Sequence, residues 1–301
     1  MELISEVGTP TTTADGPSDA LSNALSNAVI RRSTQRRYLM CPPTHFDVVY
    51  SINPWMNPAK PTDQPIAAAQ WQRIHDQLVD LGHTVDVIPP APGLPDMVFA
   101  ANGATVWGDR ALVARFRHTE RDAESTAYLD WFADRGLHVQ QASTANEGEG
   151  DYLSAGPWLL AGSGFRTDRR AHLESEQYFD RPVIGLTLVD DRYYHLDTAL
   201  AVLDDETVMY YPDAFTSGSQ AILRELFPTA IIATAEDAGV FALNAVSDGL
   251  HVLMPAGSTG LVAKLREAGF VPIGLDVSEL LRAGGGVKCC VLELHGPAGR
   301  R

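Results

Sequence analysis

From residue 36 onward the chain repeats one order of segments, and this recurrence constrains its fold more than any other feature. The order is strand, strand, helix, strand. It returns about every 50 residues, within the range where repeat architectures occur. RRYLMC (36–41) and FDVVY (46–50) read as short strands. AAAQWQRIHDQLVDLG (67–82) reads as a helix with Trp71, Ile74, Leu78 and Leu81 on one face and Gly82 as its stop, followed by the strand HTVDVIP (83–89). PDMVFAANGATVWGDRALVARF (95–116) reads as two strands joined by a Gly-Asp turn, followed by a helix over 120–136 and a strand over 137–143. A third round runs through 152–164, 169–180 and 182–190, and a fourth through 198–212, 220–228 and 230–236. The fifth runs through 243–255, 260–269 and 271–277, with VKCCVLEL (287–294) as a closing strand. The rounds share no motif, so the repeat is one of structure. Units of this kind fit a five-fold α/β ring, and the pattern also fits an irregular α/β domain with a mixed sheet.

The first segment differs. Residues 1–34 include TPTTTADGPSDALSNALSNA, with few large apolar residues, and read as a tail that cannot bury enough surface to fold alone. Residues 35–301 are then one catalytic α/β domain, and a 45% hydrophobic content is ample for its core. The tail lacks a basic segment followed by an apolar one, so no secretory signal is expected. No run approaches the roughly 18 apolar residues that span a bilayer. A cytoplasmic protein is expected. The formal charge of −15 argues against a nucleic-acid partner and suits a cationic small molecule. Three cysteines, Cys41, Cys289 and Cys290, are a poor basis for a disulfide framework and suggest free thiols in a reducing compartment. The zinc spacings CxxC, HxxxH and HExxH are missing, and GGG (284–286) precedes an apolar run, not a helix as in a nucleotide loop.

Five segments carry groups capable of chemistry. Cys289 and Cys290 follow three glycines that would let a substrate approach a thiol, although a cysteine on a strand is commonly a small core residue. His195 and Asp197 in YYHLDTAL face one side if the segment is a strand, as a proton shuttle and its carboxylate, or form a surface pair at a turn. Glu147, Glu149 and Asp151 in NEGEGD place three carboxylates on a glycine-rich loop, aimed at something positive or simply solvated. Asn53 and Asn102 each follow a strand-like run, where asparagine usually serves a turn. Arg117 and Arg121 sit near a helix start, the unfavourable end for a cation, which suggests a carboxylate ligand; a solvated cluster paired to Glu120 and Glu124 is the plainer reading. Arg166 follows a glycine turn and has the same two readings.

Taken in order, these pieces resemble the guanidino-group modifying enzyme superfamily of arginine deiminases, dimethylarginine dimethylaminohydrolases, amidinotransferases and arginine dihydrolases. The shared order is a PDxVF-type strand end containing Asp96, a basic segment, an acidic glycine loop, an HxD strand end and a C-terminal cysteine, spanning residues 36–296. INPWM (52–56) and FAAN (99–102) look most like the arginine dihydrolases, since the other hydrolases usually carry Asp in place of Asn102. EGEGD departs by one residue from the commoner EGGD and also resembles the dihydrolase form. The resemblance implies a five-bladed α/β propeller with a central active site. It makes Glu147 the match to the catalytic acid, with Glu149 as a substitute, and Cys289 a better match to the nucleophile than Cys290.

The mechanism so implied needs no metal or organic cofactor. Cys289 attacks the guanidinium carbon, His195 shuttles protons and Asp197 orients His195. Glu147, Asn53 and Asn102 hold the guanidinium, Asp96 is a further substrate-binding residue, and Arg121 and Arg166, with Arg117, hold the substrate carboxylate. An amide at Asn102 both donates and accepts, so it can also hold a neutral ureido group for a second hydrolysis to ornithine. A dimethylarginine hydrolase, a deiminase and a non-catalytic arginine sensor are the alternatives. Sequence leaves open the oligomeric state and the choice among arginine, methylated arginine and acylated arginine.

Overall fold

The computed structural model describes residues 30–296. The expected tail lies outside the described residues as far as residue 29. Its last residues are attached to the body: Arg31 donates Nε to the Ala268 carbonyl at 2.7 Å and lies 3.5 Å over the Phe270 ring, and the Thr34 N–H donates to the Asp248 carbonyl at 2.8 Å. Arg31 and Thr34, at the end of the expected tail, thus make contacts with residues of the packed body. Among the described residues no helix is long and apolar enough to cross a membrane.

The fold is α/β, built on five three-stranded sheets. Strand β1 (Arg37–Met40), helix α1 (Gln64–Asp80) and strand β2 (Thr84–Val87) open the first. The second has β3 (Ala104–Trp107), β4 (Arg110–Val113), α2 (Glu124–Ala133) and β5 (His138–Gln141). The third has β6 (Tyr152–Ala155), β7 (Trp158–Ser163), α3 (Ala171–Phe179) and β8 (Val183–Thr187). A short helix α4 (Leu196–Ala199) leads into the fourth, with β9 (Leu200–Val202), β10 (Val208–Tyr210), α5 (Ser217–Leu226) and β11 (Ile231–Ile232). After helix α6 (Ala235–Gly239), the fifth has β12 (Val246–Ser247), β13 (His251–Pro255), α7 (Thr259–Glu267) and β14 (Val271–Leu275). Strand β15 (Leu292–Glu293) then returns to pair with β1, so the first sheet joins the two ends of the described chain.

All five sheets share one connectivity. The first pair is antiparallel and the second parallel, with a helix between the parallel strands. The reason is geometric: in the second to fifth sheets a short connection reverses the chain between the antiparallel strands, in the first the returning β15 takes that place, and the parallel neighbours need a crossover. Helix α1 starts at Asp63, whose side chain accepts from the Ile66 N–H, and ends before Gly82 at φ 87°. Its buried Trp71, Ile74 and Leu78 pack in one cluster with Phe46, Phe99, Leu280, Cys289 and Cys290. Complete burial of each such side chain is worth about 1.5–3 kcal/mol, so this helix braces the turn that carries the cysteines.

Several expected strands differ. FDVVY (46–50) is irregular, because both edges of β1 are already taken by β2 and β15. The start of 95–116 forms two 3-10 turns, Pro95–Val98 and Ala100–Gly103. Residues 288–290, expected within a strand, form a 3-10 turn before β15.

Candidate functional site

The acidic loop divides its three carboxylates among different cations. Glu147 is fully buried, at 0% exposure. Its Oε2 accepts from His195 Nε2 at 2.9 Å and Arg166 Nη1 at 2.9 Å, and its Oε1 accepts the Arg117 backbone N–H at 3.1 Å. Burial pushes its pKa up, but Arg166, His195 and Arg121 outweigh burial and hold the carboxyl well below the usual range. Glu149 turns elsewhere: it accepts from Lys288 Nζ at 2.8 Å and the Glu293 N–H at 2.8 Å, and pairs with His295 at 3.2 Å. It therefore does not stand in for Glu147. Asp151 accepts the Leu196 N–H at 3.0 Å and lies 4.0 Å from His195 Nε2; burial, partly opposed by His195, pushes it up to about 6. Gly150 is required here by close approach, since a Cβ would stand 2.2 Å from Asn102 Nδ2 and 3.3 Å from the His195 ring.

His195 and Asp197 do not lie on a strand. His195 caps α4 and Asp197 sits in its first turn. Two residues on a helical turn diverge by about 200°, so the two side chains serve different partners. His195 reaches Glu147, and its Nδ1 lies 3.5 Å from Asn102 Nδ2. Asp197 Oδ2 accepts from Cys289 Sγ at 3.5 Å. The expectation that Asp197 orients His195 is therefore corrected: the carboxylates beside the imidazole are Glu147 and Asp151. Burial, opposed by Lys288, Cys289 and Asn244, pushes Asp197 up to about 7.

Cys289 lies in the 3-10 turn that follows the three glycines. Each glycine admits a different neighbour. A Cβ would meet Asn53 Oδ1 at 2.8 Å from Gly284, the Phe99 ring at 2.1 Å from Gly285, and Asn244 Oδ1 at 2.7 Å from Gly286. Burial and then Asp197 push the Cys289 thiol well up, so an added cation is needed to favour thiolate. Cys290 faces the apolar cluster under α1, and Cys41 is buried and pushed up to about 12 by burial and Glu124. The sequence reading missed Asn244, which bonds both the backbone and the sulfur of Cys289. Its signal was an amide inside the apolar run FALNAV, because a buried amide demands partners.

The remaining residues fall into two groups. Asn102 is buried, and its Oδ1 accepts from Arg121 Nη1 at 3.0 Å. Asn53 is half-buried and donates to the Ala283 carbonyl at 3.0 Å, on the edge of the glycine turn. Asp96 accepts from Tyr50 Oη at 2.9 Å; its Oδ1 has no partner among the described residues, and burial, opposed by Arg121, raises its pKa. Arg166 also donates to the Ile52 carbonyl at 3.0 Å. Arg117 is exposed. Arg121 differs from its expected role as a carboxylate clamp: it is buried and forks onto Glu124 through two bonds of 2.8 Å, so its donors are mostly committed to the protein.

One helical turn thus brings an imidazole bonded to a buried carboxylate and an acid bonded to a thiol into one enclosed cluster. Such a set can attack an electrophilic carbon and move protons. A cavity of about 890 Å³ lined by Arg36, Trp107, Arg135 and His295 includes none of Cys289, His195 and Glu147, and the chemistry favours the enclosed cluster.

No family model matches the chain. It is 53% identical over 265 residues to the N(G),N(G)-dimethylarginine dimethylaminohydrolase of Mycobacterium tuberculosis, covering 88% of each chain. It is 39% identical over 268 residues to the bifunctional arginine dihydrolase/ornithine cyclodeaminase ArgZ of Synechocystis, covering 87% of this chain but only 38% of that protein. The N-terminal domain of ArgZ, in a cysteine-to-serine variant bound to substrate, superposes with a TM-score of 0.84 at 38% identity, over 87% of this chain and 99% of that one. Another structure of that domain holds a covalently bound reaction intermediate. With relatives of this similarity along most of its length, the chain belongs to the guanidino-modifying hydrolases, the superfamily of the dimethylarginine dimethylaminohydrolases and arginine dihydrolases.

Proposed function

We propose that this protein is an arginine dihydrolase with Cys289 as its nucleophile. The observation that carries the reading is the pairing of Cys289 with Asp197, within one helical turn of a histidine that donates to the buried Glu147. The thiolate bonds to the guanidinium carbon, and ammonia leaves with a proton from His195, giving a thiouronium on Cys289. Water, deprotonated by His195, attacks that carbon and the sulfur leaves, releasing citrulline. In the second round the sulfur attacks the ureido carbon and a second ammonia leaves. Hydrolysis of the thiocarbamate then gives a carbamate that decays to ornithine and carbon dioxide. The balance is arginine plus two waters to ornithine, carbon dioxide and two ammonias.

Glu147 already accepts one guanidinium, that of Arg166, which supports its role as the guanidinium-binding acid. Substrate charge beside Cys289 favours the thiolate against burial and Asp197. Asn102, able to donate and accept, suits both arginine and the neutral ureido intermediate. Asn53 and Asp96 flank the guanidinium, and Asp96 has an oxygen without a partner among the described residues. Arg117 and Arg166 serve the substrate carboxylate; Arg121 positions Asn102. We read the five sheets as blades of a propeller around this site, closed by the β15–β1 pair. The three cysteines are free, which suits a reducing, cytoplasmic setting.

Incubation with free L-arginine tests the proposal. Ornithine with two equivalents of ammonia is expected; citrulline that accumulates marks a deiminase. Hydrolysis of dimethylarginine is the second reading, favoured by the mycobacterial relative at 53% identity. Release of dimethylamine, with arginine untouched, selects it.

A further inference from the structure

We propose that Asn244 is a further catalytic residue, whose side-chain amide donates a hydrogen bond to the Cys289 sulfur and stabilises it as the thiolate. The inference rests on the reading of Cys289 as the nucleophile.

Asn244 is fully buried and makes three contacts through its amide. Oδ1 accepts the Cys289 backbone N–H at 3.1 Å, while Nδ2 donates to the Asp197 carbonyl at 3.2 Å and to Cys289 Sγ at 3.1 Å. The amide cannot be turned the other way. A backbone N–H only donates and a carbonyl oxygen only accepts, so the two backbone contacts fix Oδ1 toward one and Nδ2 toward the other. The second hydrogen of Nδ2 is then left for sulfur.

The contact is worth more in one protonation state than in the other. A thiol is a weak acceptor, whereas a thiolate takes a charge-assisted bond. The donor therefore opposes burial and the Asp197 carboxylate, which both disfavour the anion. It also touches the atom that forms and breaks bonds to substrate, where a stabilised anion lowers the barrier to its return as a leaving group.

The chain is held in an uncommon shape to put the amide there. Phe241 adopts φ 62°, in the left-handed region that bulky residues rarely enter. The turn it opens is closed by the Asn244 N–H donating to the Phe241 carbonyl at 3.0 Å. Trp55 packs edge-on against the Phe241 ring at 5.1 Å, tying this turn to the INPWM segment. From the other side, Gly286 leaves the space that Asn244 Oδ1 enters. Backbone strain of this kind persists where the surroundings over-determine it, often at functional sites.

The test is iodoacetamide labelling of Cys289 as a function of pH without substrate, with fragmentation mass spectrometry separating Cys289 from Cys290. Asn244→Ala is expected to raise the labelling midpoint by about one pH unit, or about tenfold slower labelling at a fixed pH below it, as follows from losing one bond to a charged acceptor. Asn244→Asp, which sets a carboxylate against sulfur, is expected to raise it further. Gly286→Ala keeps the amide but crowds Oδ1, and is expected to shift the midpoint the same way. It decides the matter if the Asn244 variants do not fold. Midpoints equal to wild type in the folded variants overturn the proposal. A wild-type protein that releases neither ammonia from arginine nor dimethylamine from dimethylarginine sinks the proposed function and leaves the labelling result readable on its own.

Discussion

Asp197 and Cys289 meet carboxylate to sulfur at 3.5 Å, each only 1% exposed, across 92 residues of sequence. Neither group is comfortable as an anion there. Burial raises both, and the Asp197 carboxylate raises the thiol further, while the hydrogen bond from the Cys289 thiol only partly offsets burial at Asp197. Substrate arrives as a cation and changes that balance, so nucleophile and substrate are activated together.

Replacing Cys289 by Ser is expected to remove turnover by at least a thousandfold, the scale of losing an attacking group, while thermal unfolding stays near wild type. Cys290→Ser is expected to keep most activity, because the sulfur that meets Asp197 at 3.5 Å and Asn244 at 3.1 Å is that of Cys289. Ammonia release measures both. Equal losses in the two variants would show that the assignment of the nucleophile is wrong.

Asn102→Asp is expected to change the product. A carboxylate keeps the bond from Arg121 but places an oxygen where Nδ2 now faces the Glu147 carbonyl at 3.5 Å, and it loses the donor suited to a ureido oxygen. Citrulline should accumulate in place of ornithine, read by chromatography of a single-substrate reaction. An unaltered ratio of the two removes this role from Asn102.

The raised Asp197 makes a stability prediction with a definite sign. In the folded protein its pKa is about 7, against about 3.9 in an unfolded chain, so the native state binds the proton more tightly. Its contribution is fully present below pH 4 and is lost as pH rises from about 4 through 7. Asp197→Asn removes that loss. Its stability relative to wild type should grow by up to about 4 kcal/mol between pH 4 and pH 8, measured by denaturant unfolding at both. A difference that does not depend on pH contradicts the titration.

Glu147 and Glu149 should separate in their effects. Glu149→Gln removes the buried charge that pairs with the half-buried Lys288 and His295, and is expected to cost about 3 kcal/mol of stability. Glu147→Gln is expected to reduce kcat strongly, because it takes the charge from the only carboxylate within 3 Å of His195 among the described residues. Melting curves beside ammonia release distinguish the two. A Glu149 variant that loses turnover at full stability would reverse the assignment.

Gly150→Ala should act on the site more than on the fold. The added methyl group lies 2.2 Å from Asn102 Nδ2, so the amide must move from between His195 and Arg121. A fall in kcat of about tenfold or more is expected, the scale of misplacing a positioning group, with circular dichroism unchanged. Full activity would mean that Asn102 can shift without consequence.

Periodicity and motif order by themselves determined the order of strand, strand, helix and strand in the second to fifth rounds, the helical face of Trp71, Ile74 and Leu78, and the choice of Cys289, His195 and Glu147 as the groups to examine. These are local signals, written in spacing a few residues long. Only the tertiary structure decided who faces whom. His195 and Glu147 are 48 residues apart, and Asn244 and Cys289 are 45 apart. The split of His195 from Asp197 came from a short helical turn that reads as strand in the sequence. The commitment of Glu149 to Lys288, and of Arg121 to Glu124, came from burial, which compels each charge to take its nearest partner. Contacts of this range depend on how whole sheets are assembled, above all on β15 returning to β1, and no local pattern carries that information.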